Sequence, residues 1–128
     1  MRYLLDTDIV SYLVRGNRDV AGRLVQVGVQ CAISAVTLME LRSWEPSSKQ
    51  IGELIESAIE HLPVVDFDKP AAELTARIRR DLRAGGKGYS TSDIMIAATA
   101  IANNLILVSN NSKDFESIKN LNLENWLK

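Results

Sequence analysis

Tyr3-Leu4-Leu5-Asp6-Thr7-Asp8-Ile9-Val10-Ser11-Tyr12-Leu13 opens the chain with a three-residue apolar run, an acidic break, and apolar residues at helical spacing. That is a strand passing directly into a helix. Asp8 is the residue expected to cap the helix, through a carboxylate that accepts free backbone N–H groups of its first turn. The alternation repeats along the chain. Cys31-Ala32-Ile33 reads as a strand and Ser34 as the cap of a helix carrying Val36, Met39, Glu40 and Leu41 as far as Trp44. Gly16-Asn17 and Gly28 bracket a helix with Val20, Leu24 and Val27, and another helix spans residues 51–59. Val64-Val65-Asp66-Phe67 is a strand by its β-branched residues, and Asp68 starts a helix ending at Gly85-Gly86. Ile94 to Ala102 is apolar nearly all round, which predicts a buried helix. Leu105-Ile106-Leu107-Val108 is the strongest strand signal; a loop at Ser109-Asn110-Asn111, a helical turn near residues 113–118 and a last extended piece near residues 121–123 follow. Strands alternating with helices predict a single α/β/α sandwich over residues 1–128, with a mainly parallel sheet whose ligand sites lie beyond the carboxyl ends of its strands.

Composition sets bounds on function. The 128 residues carry 15 Lys and Arg against 16 Asp and Glu, a net charge of −1, which excludes a polycation that binds nucleic acid by bulk charge. One Cys permits no intrachain disulfide and no thiolate zinc cluster, so a reducing, cytoplasmic setting is expected. Asp6 interrupts any signal-peptide core, and the apolar run at 94–102 falls far short of the roughly 20 residues that cross a bilayer.

Four carboxylates stand out by position. Asp6 ends a strand, Glu40 lies between Met39 and Leu41, Asp93 begins the most apolar helix, and Asp114 follows the last strong strand by a short loop. In a parallel sheet such positions share one edge. Carboxylates brought together repel unless a cation compensates, and an oxygen-only set favours Mg2+ or Mn2+. Taken singly, each also fits an ordinary cap or a solvated side chain. The remaining inventory offers less. His61, the only histidine, lies on the opposite edge, Cys31 sits in a strand, and Gly85-Gly86-Lys87-Gly88 has neither phosphate-loop nor dinucleotide spacing. Trp44 and Trp126 read as packing residues.

Leu4-Leu5-Asp6-Thr7-Asp8, Ile33-Ser34-Ala35-Val36-Thr37-Leu38-Met39-Glu40-Leu41, Asp93-Ile94-Met95-Ile96-Ala97-Ala98 and Leu107-Val108-Ser109-Asn110-Asn111-Ser112-Lys113-Asp114-Phe115 resemble, in order and spacing, the PIN-domain VapC toxins. The resemblance runs from Tyr3 to Trp126. It implies a metal-dependent endoribonuclease that uses Mg2+ or Mn2+, is blocked by a cognate VapB-type antitoxin, and forms a homodimer. By position, Asp6, Glu40, Asp93 and Asp114 match the family's acids. Asp6 and Asp93 would hold the metal, with Glu40 and Asp114 acting through water. Thr7, Asp8, Ser109 and Asn111 look like groups that orient them, Asp8 as a further carboxylate beside the site or else only as the helix cap. The chain departs from the family pattern in three places: Asp8 stands where Asn is common, Asp114 where Glu is frequent, and the loop Gly88-Tyr89-Ser90-Thr91-Ser92 differs from the usual residues before the third acid. Relatives sharing the Asn-Asn loop suggest a structured RNA such as initiator tRNA. Arg77, Arg79, Arg80, Arg83 and Lys87 are the candidate RNA-backbone contacts, or else an ordinary solvated helix face. Two other readings compete. Asp6-Thr7-Asp8 also fits a haloacid-dehalogenase-like phosphatase with Asp6 as nucleophile, and Asp66 suits a phosphoacceptor receiver module.

Overall fold

The computed structural model describes residues 1–86 and 89–127. Elements run β1 (Tyr3–Leu5), α1 (Thr7–Val14), α2 (Arg18–Val27), a 3₁₀ turn (Gly28–Gln30), β2 (Cys31–Ser34), α3 (Ala35–Ser43), α4 (Lys49–His61), β3 (Val64–Val65), α5 (Lys69–Ala84), α6 (Thr91–Ala102), β4 (Ile106–Val108), α7 (Ser112–Phe115) and β5 (Leu123–Glu124). The five strands pair in the order β3-β2-β1-β4-β5, every pair parallel. This is the α/β/α sandwich expected from the alternation of strands and helices. The chain crosses one way from β1 to β2 and later returns to the other side of β1 as β4, so the strand order reverses between β1 and β4. Ligand crevices in open parallel sheets form at such a reversal.

Side-chain alternation on β1 divides the core. Leu4 faces the layer of α5 and α6, with Ala32, Ile78, Leu82, Ile96 and Leu107. Tyr3 and Leu5 face the opposite layer, with Ile9, Val10, Ile33, Ile55, Val108 and Trp126. The central strands are buried on both faces, which is why they read as unbroken apolar runs. The C-terminus is fastened across the sheet. Trp126 packs edge-on against Tyr3 at 5.5 Å and donates from Nε1 to Glu124, which also pairs with Arg23 at 2.8 Å.

Several expectations need correction. The cap of α1 is Asp6, not Asp8: the helix starts at Thr7 and the Ile9 N–H donates to Asp6 Oδ1 at 2.9 Å. Trp126 is buried, but Trp44 is 36% exposed just beyond α3, where the chain leaves the layer towards Pro46. The last strand lies at Leu123–Glu124, one step beyond the apolar run, because pairing to Leu107 and Val108 sets its register. Ser34, Asp68 and Ser90 cap their helices through N–H bonds from Thr37, Ala71 and Asp93. Gly16, at φ +86°, provides the left-handed turn that ends α1.

Candidate active site

Four elements deliver the acids to the carboxyl edge. β1 ends at Leu5, and the Asp6 N–H donates to the Val108 carbonyl at 3.0 Å, fixing Asp6 beside the end of β4. Its carboxylate is buried, accepting from the Ile9 N–H and from the Ser109 hydroxyl. Glu40 rises from the second turn of α3, half-buried, and accepts from Thr7 Oγ1 at 2.6 Å. Asp93, also half-buried, lies in the first turn of α6, whose cap is Ser90. Asp114 is exposed on α7 and accepts from Asn111 Nδ2. Asp8 is exposed in the first turn of α1.

The electrostatics tie these positions together. Burial pushes Asp6 up from an ordinary aspartate's 3.8 to about 7; the Ser109 and Ile9 bonds oppose the rise, while Asp8 and Asp93 add to it. Partial burial also raises Asp93, and Glu40, Asp114 and Asp8 push it further. Among the described residues, every charged group acting on these two is acidic. Among the described residues, five carboxylates thus share one field. Among the described residues no three acidic, His or Cys side chains are gathered into a closed metal cage. Mg2+ does not require one, since it keeps most of its waters and takes one or two carboxylates plus substrate phosphate. The donor set, all hard oxygen around a buried carboxylate, fits that ion.

Thr7 touches Glu40, Ser109 touches Asp6, and Asn111 touches Asp114. Two groups went unnoticed in the sequence. Thr37, fully buried on α3, meets Thr7 at 3.1 Å. Asn110 bridges the Tyr12 hydroxyl and Asn125, each at 3.2 Å, and so ties the loop after β4 to α1 and to the chain beyond β5. For Thr37 a signal was available, since it precedes Glu40 by three residues and so shares its helix face. Arg77, Arg79, Arg80 and Arg83 are exposed on α5, which leads through residues 85–90 to α6 and Asp93. Lys87 lies outside the described residues. His61 ends α4 ahead of β3, on the edge away from the acids.

The PIN domain family model matches residues 3–121. The chain belongs to the PIN-domain family. Its similarity within that family is to VapC ribonucleases. It is 33% identical to Ribonuclease VapC2 of Haemophilus influenzae over 99% of both chains, and 34% identical to the tRNA(fMet)-specific endonuclease VapC of Shigella flexneri over 98% of both. Its fold matches VapBC2 from Rickettsia felis, solved bound to a promoter DNA fragment, with TM-score 0.89 and 31% identity over 99% of this chain and 100% of that one. PIN-domain membership over this length displaces both competing readings. The receiver reading fails on topology too: Asp66 follows β3, the sheet's edge strand, whereas a receiver's β3 is central in the order 2-1-3-4-5.

Proposed function

We propose that this chain is a Mg2+- or Mn2+-dependent endoribonuclease, the toxin of a VapBC-type pair, with initiator tRNA as its candidate substrate. The observation that carries the reading is Asp6, a buried carboxylate at the sheet's switch point on which Asp8 and Asp93 both act. Asp6 and Asp93 would hold the ion, and Glu40 and Asp114 would complete or orient its shell through water. When bound, the ion lowers the pKa of water and neutralises charge on a scissile phosphate. Thr7, Ser109 and Asn111 each hold one acid by a single hydrogen bond, which fixes where its oxygens point. The tRNA assignment draws on the similarity to the Shigella flexneri enzyme.

Incubation with total RNA and Mg2+, followed by mapping of new ends, tests the function. Cleavage that EDTA stops is expected, with ends clustered in the anticodon region of initiator tRNA. Ends on another RNA would change the substrate; absence of metal-dependent cleavage would overturn the function itself.

The RNA backbone would run along the exposed arginines of α5. Arg79→Glu with Arg83→Glu, one turn apart, is expected to weaken RNA binding about tenfold near physiological salt and to flatten its salt dependence by about one unit per arginine. Filter binding across a salt series measures both. Unchanged affinity and slope would return these arginines to an ordinary solvated face.

The antitoxin partner follows from similarity to VapBC complexes and from one surface. A groove of about 620 Å3 between α1, α2 and α4 is lined by Leu13, Leu24, Leu54 and Leu62, with Val25 and Val29 88% and 98% exposed on it. Apolar surface of this kind suits a protein partner. A homodimer completes the reading. No helix among the described residues is long and apolar enough to cross a membrane.

A further inference from the structure

The structure assigns a positioning role to Thr37: its hydroxyl donates to Thr7 and so commits the single Thr7 hydroxyl hydrogen to Glu40. Thr7 Oγ1 has two neighbours, Glu40 Oε1 at 2.6 Å and Thr37 Oγ1 at 3.1 Å. An ionised carboxylate only accepts, and a threonine hydroxyl has one hydrogen to give. The Thr7 hydrogen therefore lies on the shorter contact, and the longer one is made with the hydrogen of Thr37. The chain of donors runs one way, from Thr37 through Thr7 to Glu40.

Thr75 and Thr99, deeper in their helices, give their hydroxyls to the Ala71 and Met95 carbonyls of the preceding turn, both at 2.8 Å, whereas Thr37 stands in the first turn of α3 with no helical turn before it. Thr37 instead reaches out of α3 to the first residue of α1. Its backbone N–H is already taken by the Ser34 hydroxyl at 2.9 Å, so the start of α3 is anchored without any help from the side chain. With 0% exposure Thr37 meets neither RNA nor solvent. Its hydrogen-bonded path to the site runs through Thr7. A buried donor at this point aligns the carboxylate that faces Asp93, and groups standing behind a metal's ligands commonly change affinity by about 10–100-fold when lost.

The inference rests on Glu40 serving the proposed metal site. Its test uses Mn2+ binding, read from the free-ion EPR signal, beside RNA cleavage. Thr37→Val keeps the branched shape and removes the donor. Mn2+ affinity is expected to fall about tenfold and kcat with it, while KM for RNA holds. Thr37→Ser, which keeps the hydroxyl, restores both. In a Thr7→Ala background, Thr37→Val is expected to add no further loss, because the path it acts through is gone. Native affinity in Thr37→Val, failure of Thr37→Ser to rescue, or losses that add in the double variant would each overturn the relay. A control separates this from the parent reading. If Asp6→Asn binds Mn2+ as the native chain does, the metal site falls; if Asp6→Asn loses the ion and Thr37→Val keeps it, only the relay falls.

Discussion

Asp6→Asn and Asp93→Asn are each expected to abolish Mg2+-dependent RNA cleavage while leaving the fold intact. Charge stabilisation by a bound metal is worth several kcal/mol, so removing a direct ligand lowers the rate on the order of 10³-fold or more. The fold survives for a local reason. Asp6 caps α1 by accepting from the Ile9 N–H, and asparagine caps as well as aspartate. At Asp93 the helix cap is Ser90, so the carboxylate can be neutralised without loosening α6. Asp114 provides the contrast. It is exposed and, among the described residues, accepts from Asn111, so Asp114→Asn is expected to cost nearer tenfold, as a group acting through water does. Single-turnover cleavage of a labelled tRNA, beside far-UV circular dichroism, measures all three. Native rates in Asp6→Asn, or an Asp114→Asn loss as large as that of Asp6→Asn, would dismantle the division into direct and water-mediated ligands.

The acids were legible because they sit where apolar neighbours make a charge costly. Asp6 closes an apolar strand and Glu40 interrupts an apolar helix face, and each is noticeable without coordinates. Topology did the rest, since a parallel sheet brings residues after β1 and β4 to one crevice. The cap of α1 was harder to read. Asp6 and Asp8 are two residues apart, and each precedes a helical N–H by three positions. Only the backbone decides: Asp6 is extended at φ −74° and ψ 171°, while Asp8 is already helical. One residue therefore holds the helix and also contributes to the acidic cluster. Of the relay from Thr37, only the helix face shared with Glu40 was legible; its link to Thr7 was not. A threonine in the first turn of a helix is ordinary, and its partner Thr7 lies 30 residues away on a different helix. Contacts between helices depend on how the layers pack, which periodicity does not encode. Trp44 shows the same limit in reverse, an aromatic read as core and placed at the surface by the turn that leads to Pro46.

Without divalent cations, the protein is expected to be more stable near pH 5 than at pH 8. The sign follows from Asp6, whose carboxyl is near 3.8 when unfolded and about 7 when folded. A folded value above the unfolded one means the native state holds the proton longer. Below about pH 4 the two states bind it alike; between pH 4 and 7 the unfolded chain ionises while the folded one resists; above pH 7 the folded state bears the whole penalty. A shift of this size is worth a few kcal/mol, which for a chain of this length is about 10 °C in Tm. Asp93, raised for the same physical reasons, acts in the same direction. Mn2+ should reverse the loss, because a cation among these carboxylates favours the charged form that burial disfavours. Its effect on Tm should therefore be large at pH 8 and small at pH 5. Asp6→Asn, having no proton to lose, should melt higher than the native chain at pH 8 without metal and gain least from Mn2+. Calorimetric scans of both proteins at the two pH values, with Mn2+ and with EDTA, supply every comparison. A metal-free Tm that holds or rises between pH 5 and pH 8 would mean that Asp6 is not the strained carboxylate its burial makes it.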